Sequence, residues 1–190
     1  MKITRAIAGS EYLVALMLVL LIIAFRTFLH IAPNIEIVTA AAITTGCLFK
    51  NKYLAFAVPM VSLLVTDLLL GNTLIFIFTW SGFLFPVFAG IIQRRLRLQD
   101  ALYAEVAGAV STVFFFLWTN LGVVLTTHMY SKDLNGLLNS YFNAIPFLKN
   151  QLLGNLIFVP LIFLGAGLLL KAQAQIRISD KELIPLSGHN

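Results

Sequence analysis

Charge and cysteine are both scarce in this sequence, and each scarcity excludes something. Asp, Glu, Lys and Arg make up 11% of the 190 residues, whereas 59% are hydrophobic. A soluble domain carries about 25% charged residues, so the chain reads as one integral membrane domain. The single cysteine, Cys47, leaves no internal disulfide and no CxxC pair, hence no zinc or redox centre. His30, His128 and His189 stand far apart without metal-ligand spacing, and no GxSxG, HExxH or P-loop occurs. No cofactor, no metal and no enzymatic activity are expected, and the chain has no means of hydrolysing ATP itself. Acidic residues number eight against thirteen basic ones. The basic residues sit in short loops between apolar runs, a pattern that reports membrane orientation. They do not form one continuous face, so nucleic acid is excluded as a partner.

Six apolar runs are present, at 8–28, 35–49, 53–70, 73–92, 102–125 and 151–170. A bilayer core of roughly 30 Å takes about 20 such residues per helix. The first run follows Lys2 and Arg5 and has no small-residue cleavage site after it, so a retained helix is expected. With six spans and an inside N-terminus, ten of the thirteen basic residues fall inside; Arg26, Lys132 and Lys149 fall outside. That bias predicts a multi-pass protein of the cell membrane with both termini cytoplasmic. Residues 1–171 would form the transmembrane domain and 172–190 a loose polar tail. The second run is short and rich in small residues, among them Ala40, Ala41, Ala42 and Gly46. Small residues let helix backbones approach closely, which suits the interior of a bundle. Between the fifth and sixth runs, Leu134, Leu137, Leu138, Tyr141, Phe142 and Ile145 recur at spacings of three and four. That spacing predicts an extra amphipathic helix, capped by Ser131 and ended before Pro146.

Ionisable and amide groups gather at the outer ends of these runs. Arg26, four residues before His30, has the planar donor fork that suits a carboxylate or phosphate; its plain reading is a snorkelling side chain. Glu36 either serves the same pocket or pairs with Arg26 across the hairpin. Asp67 lies fourteen residues after Tyr53, which puts it about 21 Å up a core of roughly 30 Å. A carboxylate at that depth faces a ligand or ion at a pocket floor, pairs with Arg26, or is a helix-end charge facing water beside Gly71 and Asn72. Asn120 can hold a ligand or bind two helices together. Asn135, Asn139 and Asn143 form a stripe that reads as a pocket lid or a wetted helix face. Gln151 and Asn155, one turn apart, would edge a ligand at the entry of the last span. The expected ligand-binding set is thus Arg26, Glu36, Asp67, Asn120, Asn139, Asn143, Gln151 and Asn155. Arg94, Arg95 and Arg97 read as topology signals or as a docking point for a partner.

Six short spans, an inside N-terminus and polar outer loops resemble the substrate-binding S components of energy-coupling-factor (ECF) transporters. The runs Pro33-Asn34-Ile35-Glu36 and Pro59 through Gly71 look like an uncharacterised family of prokaryotic membrane proteins. So do Thr119-Asn120-Leu121-Gly122 and the stretch Ala144 through Asn155. The resemblance implies an all-α, six-helix S-component-like bundle that captures a micronutrient-type small-molecule ligand from outside. A membrane coupling protein and two cytoplasmic ATPases would be its partners. Two other expectations stand beside it. One is a non-transport scaffold of the rod-shape-determining MreD type, with protein partners and no small ligand. The other is a small intramembrane enzyme using Asp67, Glu36 or His30 as acid or base.

Overall fold

A computed structural model describes residues 2–29, 33–71, 73–93 and 100–182. The chain is all-α in these regions, with six helices: α1 (Lys2–Phe28), α2 (Val38–Leu48), α3 (Lys52–Leu70), α4 (Phe76–Ile92), α5 (Ala101–Thr126) and α6 (Leu134–Glu182). Four of them contain stretches long and apolar enough to cross a membrane, namely Ser10–Phe28, Lys52–Leu70, Ala101–Thr126 and Leu134–Ile176. Val38–Leu48 and Phe76–Ile92 are apolar but shorter. Such a chain is compatible with a multi-pass membrane protein.

The hub is α2. Every residue from Val38 to Cys47 is buried. Nine of its eleven residues are Ala, Thr, Gly, Val or Ile, with few bulky side chains to hold neighbours away, so other helices close around it. Contact is tightest against α4. A Cβ added to Gly46 would collide with the Val87 carbonyl oxygen, and one added to Gly90 would lie 2.5 Å from that of Ile43. Only glycine fits at such a backbone-to-backbone crossing. α1 packs chiefly against α3 and α6, and its buried residues Val14, Leu18, Ile22 and Phe25 are spaced by three and four. Its other side exposes Leu13, Leu16, Met17 and Leu20, as a lipid-facing side would.

Polar atoms inside the bundle are mostly spoken for. Pro59 has no N–H to give the Ala55 carbonyl four residues back. The Thr45 hydroxyl of α2 donates to that carbonyl instead, at 3.0 Å. Glu11, 3% exposed, accepts from the backbone N–H groups of Lys50 at 2.9 Å and Asn51 at 3.2 Å. The Asn51 side chain in turn accepts from the amides of Tyr53 and Leu54. Together they occupy donors that the start of α3 would otherwise leave open.

Four expectations need correction. The second helix is Val38–Leu48 rather than 35–49, because Asn34 takes a left-handed conformation (φ +61°) and the next residues turn the chain inward. Asparagine tolerates that region better than other side chains. The amphipathic stretch is not a separate helix: α6 runs 49 residues, through Pro146 and Pro160. Proline is tolerated inside a helix where neighbouring groups re-satisfy the backbone. The first turns of α6 do lean across α5. From Thr112 to Asn120, α5 advances eight residues, while the matching contacts on α6, Asn155 and Ser140, lie fifteen apart. Those are rises of about 12 and 22 Å, so α6 covers a longer path than α5 between the two contacts, over the stretch that contains Pro146. The cap of α6 is also Asp133 and not Ser131: its carboxylate accepts from the Gly136 amide at 2.7 Å and from the Ser131 hydroxyl at 2.8 Å. Finally, residues 172–182 continue the helix rather than forming a loose tail, since Ala172, Gln173, Ala174 and Gln175 favour helix.

Candidate functional site

α1 ends where its buried stripe meets the rim. Phe25 is its last core residue, and Arg26 follows in the last turn. The chain then turns at Pro33 and Asn34, so Glu36 comes back beside Arg26. The Arg26 Nη1 donates to Glu36 Oε2 at 3.0 Å, and Nη2 to Asp67 Oδ1 at 3.3 Å. Asp67 stands in the last turn of α3. Its second oxygen, Oδ2, accepts from the Trp80 indole N–H of α4 at 2.6 Å. Four helices or links are thereby joined through one charged cluster. The Arg26, Glu36 and Asp67 side chains are 20%, 18% and 12% exposed, so all three are largely withdrawn from solvent.

The cluster lines a cavity of about 610 Å³. Its walls come from the ends of α1 and α3, the link at 33–36, the first half of α4 and the C-terminal half of α5. Apolar rings and branches, including Phe25, Phe83 and Phe115, make most of the surface, and Thr79 and Thr119 add hydroxyls. Ligand cavities commonly run about 300–1,000 Å³, mostly apolar with a few placed polar groups. A second cavity of about 260 Å³ adjoins it and shares Asn34, Phe115, Thr119 and Val123.

The expected site residues divide. Arg26, Glu36 and Asp67 come together at the larger cavity. Asn120, Asn143 and Gln151 line the smaller one. Asn155 lines neither; it is 1% exposed and donates to the Thr112 hydroxyl at 2.6 Å. Asn139 and His128 are exposed and line neither cavity. The asparagine stripe is therefore not a lid: it faces outward at Asn135 and Asn139, and Asn143 alone of the three reaches a cavity. Asn120 binds helices together, accepting from Ser140 at 3.1 Å while donating to the Phe116 carbonyl at 2.8 Å. His30, His189, Arg94, Arg95 and Arg97 lie outside the described residues. Among the described residues, no three His, Cys, Asp or Glu side chains gather as metal ligands would.

The structure also revises the role of Arg26. Both terminal nitrogens donate to carboxylates of the protein, while its buried Nε has no hydrogen-bond partner. Sequence reasoning missed Trp80, which completes the cluster, and Glu11. Trp80 carries an N–H donor in a helix otherwise rich in phenylalanine, and a buried indole nitrogen generally finds a partner. That was the available signal. Neither the curated proteins nor the solved structures offer a match. Residues 7–178 do match a family-level pattern that spans nearly all of the bundle, and the chain belongs to that family, a family of unknown function (DUF6580).

Proposed function

We propose that this chain is a six-span subunit of the cell membrane that binds a small solute from outside and takes part in its transport, in the manner of an ECF S component. One observation carries the reading: a charged cluster of Arg26, Glu36 and Asp67, joined to Trp80, lines an open cavity of about 610 Å³ at one end of an apolar bundle. Ionisable groups inside membrane segments are costly and cluster at substrate pathways. The distribution of basic residues favours the end that faces outward, with both termini cytoplasmic. Energy for uphill movement would come from a coupling membrane protein and cytoplasmic ATPases. The carboxylates are held by a guanidinium and an indole rather than by a nucleophile, which favours binding over catalysis.

The test is purification of the full chain from its host in mild detergent, followed by mass spectrometry of both bound small molecules and co-purifying proteins. A specific small molecule should be recovered, and an Asp67→Asn variant that still folds should lose it. Two ATPases and a membrane coupling protein would identify the coupled form. Recovery of neither ligand nor ATPases, with envelope-assembly proteins in their place, refutes transport. It would favour the scaffold of the MreD type, a reading supported by the internal pairing of Arg26.

A further inference from the structure

The smaller cavity is chemically unlike the larger one. None of its lining side chains is charged. Phe115, Phe116, Tyr130 and Phe147 bring aromatic rings to it. Several polar groups on its wall already have partners. Asn120 accepts from Ser140, the Thr119 hydroxyl donates to the Phe115 carbonyl, and Asn143 donates to the Tyr130 hydroxyl. Gln151 differs. It lines the cavity, it is 2% exposed, and its buried Nε2 has no hydrogen-bond partner. One turn deeper on α6, the Asn155 Oδ1 is likewise buried without a partner.

A buried amide nitrogen without an acceptor is unfavourable, and nearly all such groups in folded proteins are satisfied. An unpaired donor on the wall of a cavity therefore marks where an acceptor belongs. The volume of about 260 Å³ equals the share of about nine water molecules at roughly 30 Å³ each, which is room for one ring or a fused pair. A charged group entering an uncharged, aromatic chamber would lose its hydration without compensation. A flat, neutral ring would stack on the walls.

We propose that the smaller cavity is a recognition subsite for an uncharged planar nitrogen heterocycle or cyclic amide, and that Gln151 donates to its ring acceptor. This rests on the solute-binding reading above, and it splits the solute into two parts. The charged cluster serves one end and the Gln151 chamber reads the other. Gln151 is then a specificity-determining residue, set apart from the Arg26 cluster by the shared wall of Phe115, Thr119 and Val123.

Ligand-observed saturation-transfer NMR on the full chain in detergent tests this, with nicotinamide as probe and toluene and benzoate as size-matched controls. Wild type should bind nicotinamide at least tenfold more tightly than either control. Gln151→Leu should lose at least tenfold in nicotinamide affinity while melting no lower than wild type, because leucine fills the volume and removes the unpaired donor. Should Gln151→Leu fail to fold, Gln151→Met, similar in length and without the donor, should show the same loss. Asp67→Asn should keep nicotinamide binding. Equal binding by wild type and the Gln151 variants overturns the subsite. So does a Gln151→Leu variant that melts far lower with binding unchanged, which would assign the amide to a buried water shared with Asn155. Loss of nicotinamide in Asp67→Asn to the same extent overturns the separate subsite but leaves the solute-binding reading standing. Binding of no probe overturns the subsite alone, since the larger cavity is judged by what co-purifies with the chain.

Discussion

Replacing Arg26 by methionine asks whether the charged cluster holds the bundle together by charge. The substitution keeps an apolar stem and removes the guanidinium, leaving Glu36 and Asp67 facing one another without the cation between them. Breaking a buried ion pair by removing one partner costs about 3–5 kcal/mol. The three side chains here keep 12–20% of their exposure, and that solvent access reduces the expected loss to about 2–4 kcal/mol. For a chain of this size each kcal/mol moves the melting midpoint by about 2–4 °C, so Arg26→Met should melt roughly 5–15 °C lower. The decisive step is to add Glu36→Gln and Asp67→Asn to the same protein. The triple variant has no stranded charge, and the amide at 67 still offers an oxygen to Trp80. It should regain at least half of the lost stability, a non-additivity that belongs to groups sharing one network. Thermal unfolding in a single detergent, followed by tryptophan fluorescence, measures all of these. If Arg26→Met melts with the wild type, or the triple variant is no better than the single one, the electrostatic account is refuted.

Two further outcomes follow from the geometry. Gly90→Ala should destabilise by about 1–3 kcal/mol, because the new Cβ meets the Ile43 carbonyl and the Cys47 amide, both backbone atoms; Gly165→Ala, with nothing within 4 Å, is the control, and equal melting of the two would discard the close α2–α4 crossing. Asp133 should titrate below the ordinary carboxyl range, because the Gly136 amide and then the Ser131 hydroxyl bond its ionised form. Its folded value is depressed, so its contribution to the first turn of α6 is complete above the unfolded value of about 3.9 and is lost as pH falls through the folded one. A carboxyl NMR titration with a midpoint at or above the ordinary value would contradict this.

How much of this was legible in the sequence depends on how far apart the partners lie. The burial of α2 could be read from Ala40, Ala41, Ala42 and Gly46, because small residues in an apolar run have one structural use. The Arg26–Glu36 pair could be read as an option, since ten residues separate them across a single turn. The Trp80 bond to Asp67 could not, because it depends on how α3 and α4 are set side by side. The same holds for Asn155 and Thr112, forty-three residues apart. Pro146 misled for a different reason. Proline removes one backbone bond and usually ends or kinks a helix, yet α6 continues through Pro146 although Ile145, Pro146 and Phe147 are exposed. The asparagine stripe misled because a helical period assigns residues to one side without saying what that side faces. Asn139 faces outward, and Asn143 one turn later meets Tyr130.

The burial of α2 also bears on biosynthesis. An eleven-residue helix covers about 16 Å, too little for a lipid bilayer to hold by itself. It emerges second during translation, whereas α4, α5 and α6, which form much of its seat, are made after it. The hub must therefore lodge temporarily against α3, or wait at the insertion machinery, until the last helix arrives. A chain stalled after α3 would have made its central element and still lack the walls that enclose it. Quality control would meet a run of small residues that is never exposed in the finished protein.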